Sequence, residues 1–242
     1  MTACLVVPCF NEASRLDVVA LEALIGDERV SLVLVDDGST DSTPGLLRSF
    51  ESRHPRVEVL TLEHNSGKGE AVRRGLQSAA RTCPGWIGYV DADLATPPRE
   101  MLRLLDVAIA GDRLEVVLGS RVAVLGRDIH RSAFRHYTGR MFATLASWVL
   151  DKPVYDTQCG AKWFRSTPSL AGCIAKPFHS RWAFDVELLG RLAAEGVPAD
   201  AFWEEPLLVW HDVDDSRRSL RSSLRACADM AVIWQALRRY RS

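Results

Sequence analysis

Apolar residues in the first half of the chain come in short unbroken runs: Leu5–Val7, Leu32–Val35, Val57–Leu60, Ile87–Val90 and Val116–Leu118. Runs of this kind predict strands buried on both faces. Between them lie helical segments near Ser14–Leu24, Pro44–Arg53, Lys68–Arg81 and Pro98–Ala110. Strand–helix repetition predicts an α/β fold: a mostly parallel, Rossmann-like sheet flanked by helices and joined by right-handed crossovers. Punctuation agrees. Thr43 reads as a capping hydroxyl ahead of Pro44, a residue suited to a first helical turn. Pro97-Pro98 closes one loop and opens the next helix.

The second half changes character. Arg127–Leu150 reads as a helix, Tyr155–Arg165 as strand-like, Trp182–Ala194 as a helix and Ala201–Trp210 as a strand. Ser219–Arg239 predicts a last helix whose apolar stripe, with Leu220, Leu224, Val232 and Leu237, is flanked by arginines. Such a stripe docks on a core or lies on an anionic membrane surface. No internal repeat or linker interrupts the chain, so one domain over residues 1–242 is expected.

Composition narrows the function classes. The 242 residues are 47% hydrophobic and 25% charged with a formal net charge of −1, an ordinary soluble composition. A general nucleic-acid binder would carry a marked basic excess. No run approaches the roughly 18–20 apolar residues that span a bilayer, and no secretory signal is visible at the start. The expectation is a cytoplasmic protein that is soluble or peripheral on a membrane. The six cysteines show no Cys-x-x-Cys spacing, which fits reduced, buried thiols. Charge is uneven: residues 216–242 are basic, whereas acids gather at Asp36–Asp41 and Asp91–Asp93.

That second acidic group is the strongest chemical signal. Trp86-Ile87-Gly88-Tyr89-Val90-Asp91-Ala92-Asp93 is an apolar strand that ends in two carboxylates. Residues two apart on a strand share a face, about 6–7 Å from each other. Acids leaving an apolar strand together need a positive partner, and a hard divalent cation suits them. Asp36-Asp37-Gly38-Ser39-Thr40-Asp41 follows the second strand. In open parallel sheets, ligands bind beyond the strands' carboxyl ends, so both loops can line one crevice. Taken alone, the Asp36–Asp41 loop is equally a turn and a helix cap. Asn65-Ser66-Gly67-Lys68-Gly69-Glu70 suggests a phosphate-cradling loop but fails the P-loop template, because Gly69 stands where Ser or Thr is required. Asp185 and Glu187 open a predicted helix, where one caps and the other favours the positive end, or where one faces a reacting sugar. Arg121, Arg127, Arg131, Arg135, Arg140 and Lys162 form a basic set, either a solvated face or a second anion site.

Together these segments resemble the family 2 glycosyltransferases of the GT-A fold. Val7-Pro8-Cys9-Phe10-Asn11-Glu12, Asp36-Asp37-Gly38-Ser39, Asn65-Ser66-Gly67-Lys68-Gly69 and Asp91-Ala92-Asp93 carry the general likeness. Gly119-Ser120-Arg121, Asp156-Thr157-Gln158-Cys159-Gly160-Ala161-Lys162 and Arg181-Trp182-Ala183-Phe184-Asp185-Val186-Glu187 look like the dolichyl-phosphate β-glucosyltransferase branch and its bacterial polyprenyl-phosphate relatives. The resemblance implies a donor half at 1–120, an acceptor half at 121–215 and a basic amphipathic helix at 216–242. It implies inverting transfer from a UDP-sugar, UDP-glucose first among them, to a polyprenyl or dolichyl phosphate at a membrane surface. Pro8, Phe10, Asn11, Glu12, Asp36, Asp37, Gly67, Lys68, Asp91 and Ala92 would line the donor nucleotide. Asp93, supported by Asp91, would hold Mg²⁺ or Mn²⁺. Arg121, Arg131, Arg135, Gln158 and Lys162 would meet the acceptor phosphate. Asp156 would be the carboxylate nearest the reacting centre, with Asp185 and Glu187 as contenders. Competing readings are a hydroxyl acceptor on a soluble or cell-envelope glycan, GDP-mannose as donor, and a sugar-nucleotide-binding protein without catalysis.

Overall fold

A computed structural model of the chain describes residues 2–122, 125–130, 133–211 and 220–240. The five apolar runs form strands, each longer than its run: β1 (Ala3–Cys9), β2 (Val30–Asp36), β3 (Val57–Thr61), β4 (Trp86–Val90) and β5 (Val116–Ser120). β1 pairs in parallel with β2 and β4, and β2 with β3. The second half adds β6 (Asp128–His130), β7 (Ala161–Arg165), β8 (Phe202–Pro206) and β9 (Val209–His211). The main sheet has the order β3-β2-β1-β4-β7-β5-β8. β7 lies between β4 and β5 and is antiparallel to both, which makes the sheet mixed.

Helices fill the crossovers: α1 (Val18–Ile25), α2 (Thr43–Arg53), α3 (Lys68–Thr82), α4 (Pro98–Ala110), α5 (Ala133–Leu150), α6 (Pro168–Ala175), α7 (Phe184–Ala194) and α8 (Leu220–Tyr240). α1 starts later than expected because Asp17, whose side chain accepts from Ala20 N at 3.0 Å, is its cap. Thr43 is not a cap. Its hydroxyl turns back to accept from Glu12 N at 2.8 Å, tying α2 to the end of β1. The predicted helix Arg127–Leu150 divides into β6 and α5, and the predicted strand Ala201–Trp210 into β8 and β9, which pairs with β6 in a small second sheet. The break in the latter falls after Pro206, which has no N–H for a ladder. The predicted strand Tyr155–Arg165 begins only at Ala161. α6 was not expected, although Thr167 caps it by accepting from Leu170 N, with Pro168 behind it.

The two sheet faces carry separate cores, as the two-residue repeat of a strand requires. Leu5, Val7, Leu32 and Leu34 pack with Leu21, Leu47 and Leu104. Val6, Val33 and Val35 pack on the other face with Val72, Leu76 and Phe184. α3 lies so close to the sheet that a Cβ at Gly75 would come 2.2 Å from Val6 Cγ1. α8 docks on α5 and α7 through buried Ile233 and Leu237. Among the described residues no helix is long and apolar enough to cross a membrane. Five of the six cysteines (Cys4, Cys9, Cys83, Cys159 and Cys173) are free and buried, while the Cys227 side chain lies outside the described part of the chain.

The topology fixes where chemistry can occur. Because β1 to β4 run in parallel, the loops that follow them share one sheet edge. Because β7 runs the other way between β4 and β5, the residues that precede it reach the same edge.

Candidate functional site

On the β1–β3 side the loops are held by carboxylates that accept from backbone N–H groups. Pro8 lies next to the last residue of β1 and Phe10 follows the strand, both half-buried. Asn11 adopts φ 54°, donates its N–H to Ser39 Oγ at 3.0 Å and accepts from Thr40 N at 2.9 Å. Glu12 is buried and takes Arg15 in a two-pronged pair at 3.0 and 2.7 Å. Asp36, 1% exposed, accepts from Ser39 N at 3.0 Å. Asp37 accepts from Ser66 N and Gly67 N, each at 2.8 Å, and from Asn65 Nδ2 at 3.2 Å. Burial pushes the Asp37 carboxyl above its ordinary pKa, and the two backbone bonds pull the other way. Both aspartates therefore shape the loops, a role beside the nucleotide contact expected of them.

Gly67 has φ 96°, and a Cβ there would lie 2.3 Å from Arg181 Nε. Only glycine meets both demands at little cost. Arg181 crosses the loop from the segment ahead of α7, donating to Asn65 Oδ1 at 2.7 Å while its carbonyl accepts from Gly69 N at 3.1 Å. It was not singled out from the sequence as a site residue.

Asp91, Ala92 and Asp93 lie past the end of β4, in a turn closed by Leu94 N donating to Asp91 O at 3.0 Å. The two acids thus do not share a strand face as expected. Asp93 Oδ1 accepts from Ala95 N at 3.1 Å. Asp91 Oδ1 pairs with Lys68 Nζ at 2.6 Å, the two side chains being 25% and 22% exposed. Asp91 N donates to Gly160 O at 3.0 Å, and a Cβ at Gly160 would fall 2.1 Å from Asp91 Cγ. Glycine at 160 is what lets the two loops meet. Among the described residues no group of three or more His, Cys, Asp or Glu could hold a metal by itself. Two carboxylates in a half-buried turn are hard oxygen donors, and they fit Mg²⁺ or Mn²⁺ if a diphosphate completes the shell.

On the β5–β7 side the carboxylates hold buried cations instead. Arg121 grips Asp156 through Nε (2.6 Å), Nη2 (2.8 Å) and its backbone N (3.1 Å). Glu204 supports that loop by accepting from Tyr155 N at 2.8 Å and Asp156 N at 2.6 Å. Lys162 is 0% exposed. Its ammonium meets Asp185 Oδ1 at 2.9 Å, Tyr89 Oη at 2.8 Å and Cys159 O at 2.5 Å. The Tyr89 hydroxyl donates to Asp185, and burial with that carboxylate pushes the phenol pKa well up.

Several expectations change here. Lys162 is sealed inside the sheet by its own register between β4 and β5, so it does not reach an acceptor phosphate. Asp185 is not a cap; Ser180 Oγ accepts from Ala183 N at 2.8 Å and Trp182 N at 3.2 Å ahead of α7. Glu187 is fully buried between Arg191 (2.6 Å) and His179 (2.8 Å to N, 2.7 Å to Nδ1), which removes it from a reacting centre. Gln158 donates to Trp182 O at 3.4 Å. Arg131 lies outside the described residues, as does the side chain of Arg135 on α5. Tyr89 and Gly160 were missed, although each lies within two residues of a residue that was flagged.

The chain is similar to known proteins in sequence and in fold. Residues 4–172 match the profile of the family described as glycosyl transferase family 2. Dolichyl-phosphate beta-glucosyltransferase of Dictyostelium discoideum is 32% identical over 94% of this chain and 72% of its own length. The protein of the same description from Mus musculus is 33% identical over 88% and 68%. Glucosyl-3-phosphoglycerate synthase of Mycobacterium tuberculosis, solved with Mn²⁺, uridine-diphosphate and glucosyl-3-phosphoglycerate, superposes with a TM-score of 0.71 over 98% of this chain and 79% of that one. At 18% identity it shows the fold alone.

Proposed function

The chain belongs to glycosyl transferase family 2, and from that premise we propose that it moves glucose from UDP-glucose, with inversion, onto a dolichyl or other polyprenyl phosphate. The observation that carries this reading is the meeting of two loop sets at one sheet edge. Asp91, from the donor-side acid turn, touches Gly160 of the segment that also holds Asp156. The likeness to dolichyl-phosphate beta-glucosyltransferases over most of the chain supports the sugar and the acceptor.

In this reading the loops after β1 and β2 and the Asn65–Gly67 loop line the nucleotide. Asp93 and Asp91 would hold Mg²⁺ or Mn²⁺. When bound, the cation supplies charge stabilisation for the departing diphosphate. A phosphate monoester, with a second pKa of about 6, is largely dianionic at neutral pH. It needs cations to orient it more than a base to deprotonate it. Arg121, held by Asp156 at the end of β5, with Arg131, Arg135 and Gln158, would form that acceptor side. Asp156 then acts by fixing Arg121, and Asp185, two residues into α7, sits beneath the crevice on Lys162 and Tyr89.

Contact with the inner face of the cytoplasmic membrane belongs to the same reading. Trp148 of α5, 73% exposed, stacks on Trp234 of α8 with centroids 6.4 Å apart, and Arg238 lies over Trp234. α5 carries no acidic residue, and the single acid of α8, Asp229, accepts from Ser180. Tryptophan and arginine without acids suit an anionic headgroup layer.

The test offers UDP-glucose, UDP-galactose and GDP-mannose separately, each with dolichyl phosphate, undecaprenyl phosphate or 3-phosphoglycerate. Lipid-linked product is expected from UDP-glucose with a polyprenyl phosphate. Turnover confined to 3-phosphoglycerate, or to GDP-mannose, would refute the assignment.

A further inference from the structure

Lys68 and Asp91 come from different loops, one opening α3 and the other following β4, and they meet at 2.6 Å. Each is held from behind. Asp37 accepts from Ser66 N and Gly67 N, and Arg181 lies across the same turn, which fixes the start of α3. Asp91 N is bound to Gly160 O, and the Asp91 carboxyl group fills the space that a Cβ at Gly160 would occupy. The pair therefore joins two placed groups, unlike a chance meeting of long surface side chains.

An ammonium at that distance neutralises the carboxylate and repels a second cation. A divalent ion arriving alone would have to displace Lys68 or bind beside it. A diphosphate alters the balance. It carries more charge than one carboxylate, and a lysine behind a glycine turn at a helix N-terminus is well placed to receive it. Lys68 has a four-carbon stem, so it can swing from Asp91 to a diphosphate in the same crevice without moving the backbone.

We propose that Lys68 is a latch on Asp91. In the donor-free protein it keeps the cation site incomplete. The nucleotide's diphosphate draws Lys68 away and releases Asp91 to bind Mg²⁺ or Mn²⁺ together with Asp93. The cation then binds with or after the nucleotide, and nucleotide and cation strengthen each other's binding. This rests on the UDP-sugar reading above.

Mn²⁺ binding to the full chain, followed by loss of the free-ion electron paramagnetic resonance signal, tests the latch without turnover. The proteins are the parent chain, Lys68→Met, Asp91→Asn and the double variant, each with and without UDP. Without UDP, Lys68→Met should bind Mn²⁺ about tenfold tighter than the parent, and the gain should vanish in the double variant. UDP should strengthen Mn²⁺ binding by about tenfold more in the parent than in Lys68→Met. Equal Mn²⁺ affinity of parent and Lys68→Met without UDP, both folded by circular dichroism, would overturn the latch. Lys68→Gln replaces Lys68→Met if the latter does not fold. If UDP binds none of the proteins while Lys68→Met still gains Mn²⁺ affinity, the brake on the cation stands and the UDP-sugar reading fails. If UDP binds and Lys68→Met gains no Mn²⁺ affinity, the latch fails and the UDP-sugar reading stands.

Discussion

The two sides of the sheet's carboxyl edge use carboxylates in opposite ways. On the β1–β3 side, Asp36, Asp37 and Asp41 hold loop backbone: each accepts from N–H groups of a nearby turn. On the β5–β7 side, Asp156, Asp185 and Glu187 hold buried cations: Arg121, Lys162 and Arg191. The first arrangement shapes the loops at the sheet edge. The second ties β7, the loop ahead of it and α7 into the interior. Buried pairs fail asymmetrically, because removing one partner strands the other charge in a dry interior. Substitutions should therefore register mainly as lost stability on the β5–β7 side and mainly as lost transfer around the donor.

The largest contrast comes from Lys162→Met. It leaves Asp185 buried with Tyr89 alone, and about 3–5 kcal/mol of unfolding free energy should disappear. Urea unfolding measures this, and Lys162→Met/Asp185→Leu should recover most of the loss. A single variant as stable as the parent would erase the distinction between the two sides.

Asp93→Asn should do the reverse. Transfer from UDP-glucose is expected to fall on the order of a thousandfold, while unfolding stays within about 0.5 kcal/mol of the parent. Steady-state kinetics beside a melting curve checks both halves of that statement.

Gly160→Ala sharpens the boundary, because it pushes a methyl group from the acceptor-side segment into the Asp91 carboxyl group. A displaced Asp91 should slow transfer about ten- to a hundredfold. UDP binding measured by calorimetry should weaken in parallel.

The smallest effect is a pH dependence on the donor side. Burial raises the Asp37 pKa in the fold. A carboxyl group raised in this way adds stability below its unfolded pKa of about 3.9 and loses that contribution as pH climbs through the folded value. The stability deficit of Asp37→Asn should therefore shrink as pH rises from about 3 through that value. A deficit that grows instead would mean that the backbone bonds outweigh burial at Asp37.

Legibility in the sequence divides along the same line. β1 to β5 and α2 to α4 were readable because apolar runs, prolines and turn residues act within a few positions of one another. The turns at the sheet edge were readable for the same reason: Asp37 and its partners Ser66 and Gly67 sit in short segments rich in turn residues. Lys162 was misplaced because its surroundings depend on β7 entering the sheet antiparallel, and nothing local in Ala161–Arg165 specifies direction. Glu187 was misplaced because His179 and Arg191 close over it only when α7 packs.

The chain's own order of residues determined that a mostly parallel α/β sheet would form with acids and glycines at its carboxyl edge. Periodicity and turn chemistry are properties of neighbouring residues. Which carboxylates hold loop backbone at that edge, and which are bound to buried cations, was decided by tertiary structure. A charge's role depends on what surrounds it, and for Asp156, Asp185 and Glu187 the surroundings come from other strands and loops that meet in the folded protein.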